Sequence, residues 1–262
     1  MRTRIAVRDL RIAFGDREVV RLDQLDLAAG EVLGLAGESG SGKSMTALAI
    51  TGLAPTMGAT VSGSVTLDGR ELLGLPQSEL RHVRGRQIAM IFQNPVSAFN
   101  PVYRVGDVMV RTLRLHTGES KGEAVEAARR ALATVLLSPD LLNRYPHQLS
   151  GGQAQRVAIA IALALDAEVL LADEPTSALD VTVQAEIVEF LRRLRHERGM
   201  SVLFISHDLA VLAELCSRIV VMREGRLVEE GPAADVLGRP EQDYTRELVA
   251  AVPKVGRESS SP

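Results

Sequence analysis

The sequence predicts an α/β fold, a mostly parallel sheet with helices on its faces. Three observations predict it. Apolar runs of strand length recur at "EVLGLA", "RQIAMIF", "EVLLAD" and "SVLFIS". Unbroken runs of this kind are what a strand buried on both faces requires. Stretches with helical spacing separate them, and that alternation is the pattern of strand–helix–strand units. At the start, "RIAVRDLRIAF" and "EVVRLDQLDLAAG" part-alternate and end at Gly15 and Gly30, which adds two strands of another pattern.

The elements follow in order. After "EVLGLAG", the segment "SMTALAITGLA" predicts a helix ending near Pro55, and "SGSVTLDGREL" a strand with a turn at Gly69. "RQIAMIFQNP" is a buried strand stopped by Pro95. From about 104 to 143 the chain changes character. "VGDVMVRTLRLH" and "SKGEAVEAARRALATVLL" have helical spacing with Ala, Glu and Arg throughout, as in a small helical subdomain. "SGGQAQRVAIAIALAL" predicts a helix opening at glycines. "DVTVQAEIVEFLRRLRHERG" predicts an amphipathic helix closed by Gly199. "RIVVMREGRLVEEG" predicts a hairpin turning at Glu224–Gly225. The tail "KVGRESSSP" is expected to be flexible.

Composition excludes several classes. A net charge of −3 offers no basic balance for nucleic acid. The single cysteine, Cys216, permits neither an internal disulfide nor a cysteine metal cluster, which points to a reducing compartment. The start "MRTRIAVRDLRIAF" is broken early by Arg8, Asp9 and Arg11, unlike a signal peptide. The longest apolar run, Val157 to Leu165, falls short of the ~18 residues of a spanning helix.

Three motifs carry chemistry. "GESGSGKS" matches GxxxxGK[ST] through Gly37, Gly42, Lys43 and Ser44, between a strand and a helix. Glycines let backbone N–H groups turn inward around phosphates. The helix start adds free N–H groups and a positive dipole end. Lys43 is one of only three lysines and places a compact charge where β- and γ-phosphates lie. The nucleotide set is Gly37, Glu38, Ser39, Gly40, Ser41, Gly42, Lys43, Ser44 and Met45, with the Ser44 hydroxyl for Mg²⁺. "EVLLADEP" ends an apolar strand in Asp173, at the sheet edge where open α/β sheets bind ligands. Asp173 is placed to hold Mg²⁺ and Glu174 to orient or deprotonate an attacking water; alone, the pair reads equally as a solvated strand end. "LSGGQ" puts Ser150, Gly151, Gly152 and Gln153 at a second helix start. By itself it is an ordinary serine N-cap. Beside a single phosphate loop, the economical reading is an anion site for the γ-phosphate on a neighbouring chain, so that two chains sandwich two ATP molecules.

The order GESGSGKS, FQNP, LSGGQAQR, LLADEP, SALD and ISHD resembles the nucleotide-binding subunit of ATP-binding cassette transporters, over almost the whole chain. The resemblance implies a P-loop NTPase cassette: a RecA-like mixed and parallel sheet core, an N-terminal antiparallel β subdomain, and a helical subdomain over about 94–150. The cassette would fill residues 1–252, with a tail over 253–262. It implies that Gln93 contacts Mg²⁺ and the attacking water, that Ser150 and Gly152 touch the partner's γ-phosphate, that Asp180 shapes the dimer contact, and that His207 bonds the γ-phosphate. Phe14 would stack on adenine, although one aromatic near a strand end is more often core. Without the other motifs, His207 reads as a cap or surface residue.

Finer features resemble the peptide and nickel importer branch: "FQNPVSAFNPVYRVGD", "RYPHQLSGGQAQRVAIAIAL", "ADEPTSALDVTVQAEI" and the ending "DYTRELVAAVP". That branch implies a sister ATP-binding subunit as mate (a heterodimer, or else a homodimer), two transmembrane permease subunits, and a solute-binding protein reached indirectly. It implies a peripheral place on the cytoplasmic face of the inner membrane. Peptide members often continue into a cysteine-bearing extension, so a shorter member without an iron–sulfur cluster is expected. "QNP" with "SAFNP" leans toward nickel or metallophore members. The alternative is a non-transport cassette ATPase in DNA repair or translation. The DNA-repair kind inserts long coiled coils between the glutamine loop and the signature, where this chain has only a short helical segment; the ribosomal kind carries two cassettes in one chain.

Overall fold

The structure is a computed structural model and describes residues 2–94, 98–177 and 179–251. The expected flexible tail over 253–262 and the strand-stopping Pro95 lie outside the described residues. Strands β1 (Thr3–Phe14) and β2 (Arg17–Ala28) form an antiparallel pair. Next come β3 (Val32–Ala36), α1 (Lys43–Ile50), β4 (Thr60–Leu67) and β5 (Arg70–Glu71). The four strands of the N-terminal sheet lie in the order β2-β1-β4-β5. The alternation in β1 is only partial because a bulge breaks it. Buried Ile5 and Val7 give way to buried Leu10 and Ile12, with a register shift against β4 between Arg8 and Arg11 and Asp9 at φ 49. One extra residue moves the apolar set to the other parity and keeps it on the same face.

The chain continues with α2 (Gln77–Val83), β6 (Ile88–Ile91), α3 (Val105–Thr117), α4 (Lys121–Thr134), α5 (Gly151–Ala164), β7 (Val169–Asp173) and α6 (Val181–Arg198). It ends with β8 (Ser201–Ile205), α7 (Leu209–Leu215), β9 (Arg218–Arg223), β10 (Arg226–Pro232), α8 (Ala233–Gly238) and α9 (Asp243–Ala250). The main sheet has the order β10-β9-β3-β8-β7-β6; all neighbours are parallel except the β9–β10 hairpin. Glu224 (φ 48) and Gly225 (φ 78) make the predicted hairpin turn. Both central turn positions have positive φ, as a type I′ hairpin turn requires.

The sheet is buried on both sides, which accounts for its unbroken apolar strands. Leu33 and Leu35 of β3, Val169 and Leu171 of β7, and Leu203 and Ile205 of β8 face α1 and the N-terminal sheet. Their neighbours Val32, Leu170, Ala172, Val202 and Phe204 face the cluster that also holds Met109, Leu113, Ala128 and Val157 of the helices. Helix α1 ends at Ile50 rather than near Pro55: Thr51 caps it, Gly52 follows at φ 66, and 54–57 form a tight turn. Helices α2, α7, α8 and α9 were not expected from the sequence. They run six to eight residues, about two turns, too short to display a period. Among the described residues, no helix is long and apolar enough to cross a membrane.

Candidate active site

The parallel strands β3, β8, β7 and β6 deliver their carboxyl ends to one edge, the usual ligand edge of an open α/β sheet. Four of the predicted groups sit there. The loop 37–42 follows β3, Asp173 ends β7 with Glu174 next, His207 follows β8, and Gln93 follows β6. The loop is tightly placed. Gly37 (φ 144) packs against the Met222 carbonyl with no room for a Cβ, and Gly42 (φ 104) leads into α1. The hairpin turn braces it from outside: Gly225 N–H donates to the Ser41 carbonyl at 3.0 Å, and its own carbonyl accepts from Arg21 N–H at 2.7 Å.

Lys43 is buried, and its ammonium donates to the Gly37 and Glu38 carbonyls, both at 2.7 Å, and to Ser41 Oγ at 3.3 Å. Burial lowers its pKa from the usual lysine value, while the charges of Glu174, Asp173 and Glu38 act the other way. Beside it, the Ser44 hydroxyl donates to Asp173 Oδ1 at 3.1 Å. Burial raises the Asp173 pKa; the Ser44 hydrogen bond opposes this, the Glu174 charge adds to it, and Lys43 opposes it. Ser44 and Asp173 therefore bring two hard oxygen donors to one point, which fits a magnesium ion that keeps most of its waters.

Glu174 takes φ 47, a strained conformation for a residue with a side chain. Its backbone is held on both sides. Its N–H donates to the Ile205 carbonyl at 3.0 Å, and its carbonyl accepts from Ser177 Oγ at 3.0 Å and from the buried Gln155 Nε2 at 3.5 Å. The turn sends the carboxylate out between two partners. Gln93 Nε2 donates to Oε2 at 3.2 Å, and His207 Nδ1 lies 3.0 Å from Oε1. The carboxylate is largely buried while His207 is 62% exposed, so one end of the pair meets solvent and substrate space.

The remaining predicted residues do not join this cluster. Ser150 and Gln153 close a capping box at the start of α5: Gln153 N–H donates to Ser150 Oγ at 3.2 Å, and Ser150 N–H to Gln153 Oε1 at 3.1 Å. Ser150 and Gly151 are exposed, and Gly152 is half-buried. Asp180 caps α6 by accepting from Val183 N–H at 3.0 Å. Glu38, Ser39 and Gly40 are exposed on the loop, and Met45, in the first turn of α1, packs against the core shared with the N-terminal sheet. Phe14 ends β1 and is 38% exposed, so its ring is free of the core. Two contacts at the site had no local signal in the sequence: Gln155 on the Glu174 carbonyl, and Tyr244 Oη, which accepts from Glu38 N–H at 3.1 Å.

A separate apolar groove of about 340 Å³ lies beyond Gln93, lined by Met90, Phe92, Phe99, Val108, His116 and Ala158 among others. Phe92 is 37% exposed there.

The chain is similar to known proteins in sequence and in fold. The chain is 46% identical to the oligopeptide transport ATP-binding protein OppD of Salmonella typhimurium, over 98% of this chain and 78% of that one. It is 44% identical to the glutathione import ATP-binding protein GsiA of Escherichia coli, over 96% of this chain and 42% of that longer one. The dimeric ATP-binding cassette MJ0796, solved with ADP and Pi, superposes with a TM-score of 0.78 at 29% identity, over 87% of this chain and 98% of that one. The alternative of a DNA-repair or translation ATPase finds no support: among the described residues between Gln93 and Leu149, the longest helices have 13 and 14 residues, too short for a long coiled coil. The family described as ABC transporter matches residues 21–177, and the chain belongs to it as an ATP-binding, ATP-hydrolysing subunit.

Proposed function

We propose that the chain powers import of peptides, or of small peptide-like and metal-chelate solutes, by hydrolysing ATP between two cassettes on a pair of membrane subunits. The relatives named for oligopeptide and glutathione import favour a peptide solute. In this reading the mate is a sister ATP-binding subunit, and a solute-binding protein delivers cargo from the far side. The chain sits peripherally on the cytoplasmic face, with the apolar groove around Phe92 receiving a segment of a membrane subunit. The exposed aromatic rim beside Gln93 supports that assignment.

The loop 37–44 binds the triphosphate through its N–H groups and Lys43, Phe14 offers a ring to adenine, and Ser44, Asp173 and Gln93 would hold magnesium, which supplies charge neutralisation at the phosphates. Glu174 orients a water toward the γ-phosphorus and accepts its proton, with Gln93 and His207 fixing the carboxylate. Phosphoryl transfer asks little covalent help from a protein, so position and charge carry the rate. Ser150 to Gln153 act in trans as a lid on the partner's ATP, with Asp180 at the shared contact.

The observation that carries this reading is the Glu174 carboxylate held at 3.2 and 3.0 Å by Gln93 and His207, beside the Ser44–Asp173 pair. Glu174→Gln in the assembled complex is expected to keep ATP binding, to cut turnover about 10²–10⁴-fold, and to accumulate an ATP-bound closed dimer on sizing. Turnover near the wild-type rate removes the assignment. Uptake of oligopeptides, glutathione and nickel chelates by the complex then identifies the solute.

A further inference from the structure

We propose that Tyr244, on the last described helix, is a positioning residue for the nucleotide: it sets the peptide plane that aims Lys43. The inference rests on the loop 37–44 being the triphosphate site. The Gly37–Glu38 peptide unit is gripped on both edges. Its carbonyl, on Gly37, accepts from the Lys43 ammonium at 2.7 Å; its N–H, on Glu38, donates to Tyr244 Oη at 3.1 Å. A peptide unit is planar, so fixing the direction of the N–H fixes the direction of the carbonyl opposite. Hydrogen bonds on the two sides of one amide also polarise each other. Tyr244 thus acts on the Lys43 charge through a single rigid plate.

The hydroxyl is delivered there by packing from outside the loop. The ring is buried, at 6% exposure, and the Arg223 guanidinium lies 4.7 Å from its centroid. Just ahead of the ring, Glu241 and Gln242 donate their N–H groups to the Glu229 carboxylate of β10 at 2.9 and 3.1 Å. Helix α9 is thereby tied to the hairpin whose turn braces the loop at Ser41. The loop is held at two points, Glu38 and Ser41, by residues from 218 onward. Burial raises the phenol pKa, so the hydroxyl stays protonated throughout the neutral range.

Tyr244→Phe keeps the ring and removes only the oxygen. The full chain is titrated with a fluorescent ATP analogue and displaced with ATP, and its thermal midpoint is recorded. The expected result is about fivefold weaker ATP binding, the size of one net hydrogen bond. A lowered thermal midpoint with unchanged ATP affinity marks a purely structural tyrosine and overturns the proposal. Lys43→Ala in the same titration separates the two claims. If it abolishes binding while Tyr244→Phe does nothing, only the Tyr244 role falls; if it too is silent, the loop assignment falls and the Tyr244 role with it. A second reading needs no change at residue 244. The chain has three tyrosines, so 3-fluorotyrosine labelling gives three fluorine resonances, two of them assigned by Tyr103→Phe and Tyr145→Phe. The remaining resonance is expected to shift on adding magnesium and ATP, and an unmoved resonance overturns the proposal.

Discussion

Glu174 and Gly37 show how much of the site depends on single backbone positions. Glu174 accepts a left-handed φ that costs on the order of 1 kcal/mol or more, and hydrogen bonds to Ile205, Ser177 and Gln155 hold it. The gain is direction: the carboxylate leaves the strand between Gln93 and His207. Gly37 is constrained differently, because a Cβ there would overlap the Met222 carbonyl while φ stays at 144. Gly37→Ala is therefore expected to destabilise the fold by about 2–3 kcal/mol, from overpacking with backbone strain, and to weaken ATP binding with it. Denaturant unfolding checks the first effect, and a midpoint within error of wild type refutes it. The identity of the loop glycines was legible from spacing alone. That Gly37 also backs onto β9, far along the chain, was not, because nothing near Met222 announces it. Gly225 is similar: its turn was readable, but not that a Cβ on it would lie 2.5 Å from the Val19 carbonyl.

Among the elements, α9 behaves as a latch whose catch is Glu229. Burial would raise that carboxyl, but the Glu241 and Gln242 N–H groups and the Arg246 charge help to outweigh burial and hold its pKa below the usual glutamate value. A carboxyl depressed on folding adds stability that is complete above its unfolded pKa and is lost as pH falls through the folded one. Docking of α9 is accordingly expected to weaken on acidification below about pH 4.5, the ordinary glutamate range. Glu229→Gln should remove part of that dependence and leave α9 less protected from hydrogen exchange at pH 7. Equal protection in the two proteins would count against the latch. The legibility of elements follows burial. The strands β3, β7 and β8 were plain in the sequence because both faces are covered and no polar residue interrupts them. The hairpin was plain from Glu224–Gly225. Helices α2, α7, α8 and α9 were invisible because two turns give no period, and the phase change in β1 hid its alternation. Tyr244 went unassigned for the same reason, since it stands on one of those short helices.

At the scale of the molecule, the proposed function makes the described site one half of a larger one. The loop, Asp173, Glu174, Gln93 and His207 converge, while the Ser150 and Gln153 side chains cap the start of α5 and leave an exposed helix tip. Gly151 offers a clean test. A Cβ there meets no atom within 4 Å, and an acidic group in the first turn of a helix is favourable. Gly151→Asp is expected to leave the thermal midpoint unchanged or slightly raised, and yet to abolish ATP-driven dimerisation of a Glu174→Gln background, because the carboxylate opposes a phosphate. Light scattering that still finds the dimer would remove the lid assignment. The order of the main sheet carries one more consequence. Among the described residues, strand β3, which launches the loop, pairs only with the strands β8 and β9, from residues 201–205 and 218–223. During synthesis at ~5–20 residues per second, a ribosome must therefore release the chain through β8, which ends at Ile205, before the strand that launches the nucleotide loop gains a strand partner. Until then the nascent chain carries two bare apolar strand edges, a natural client for chaperones and a reason for newly made chains to fold late rather than in stages.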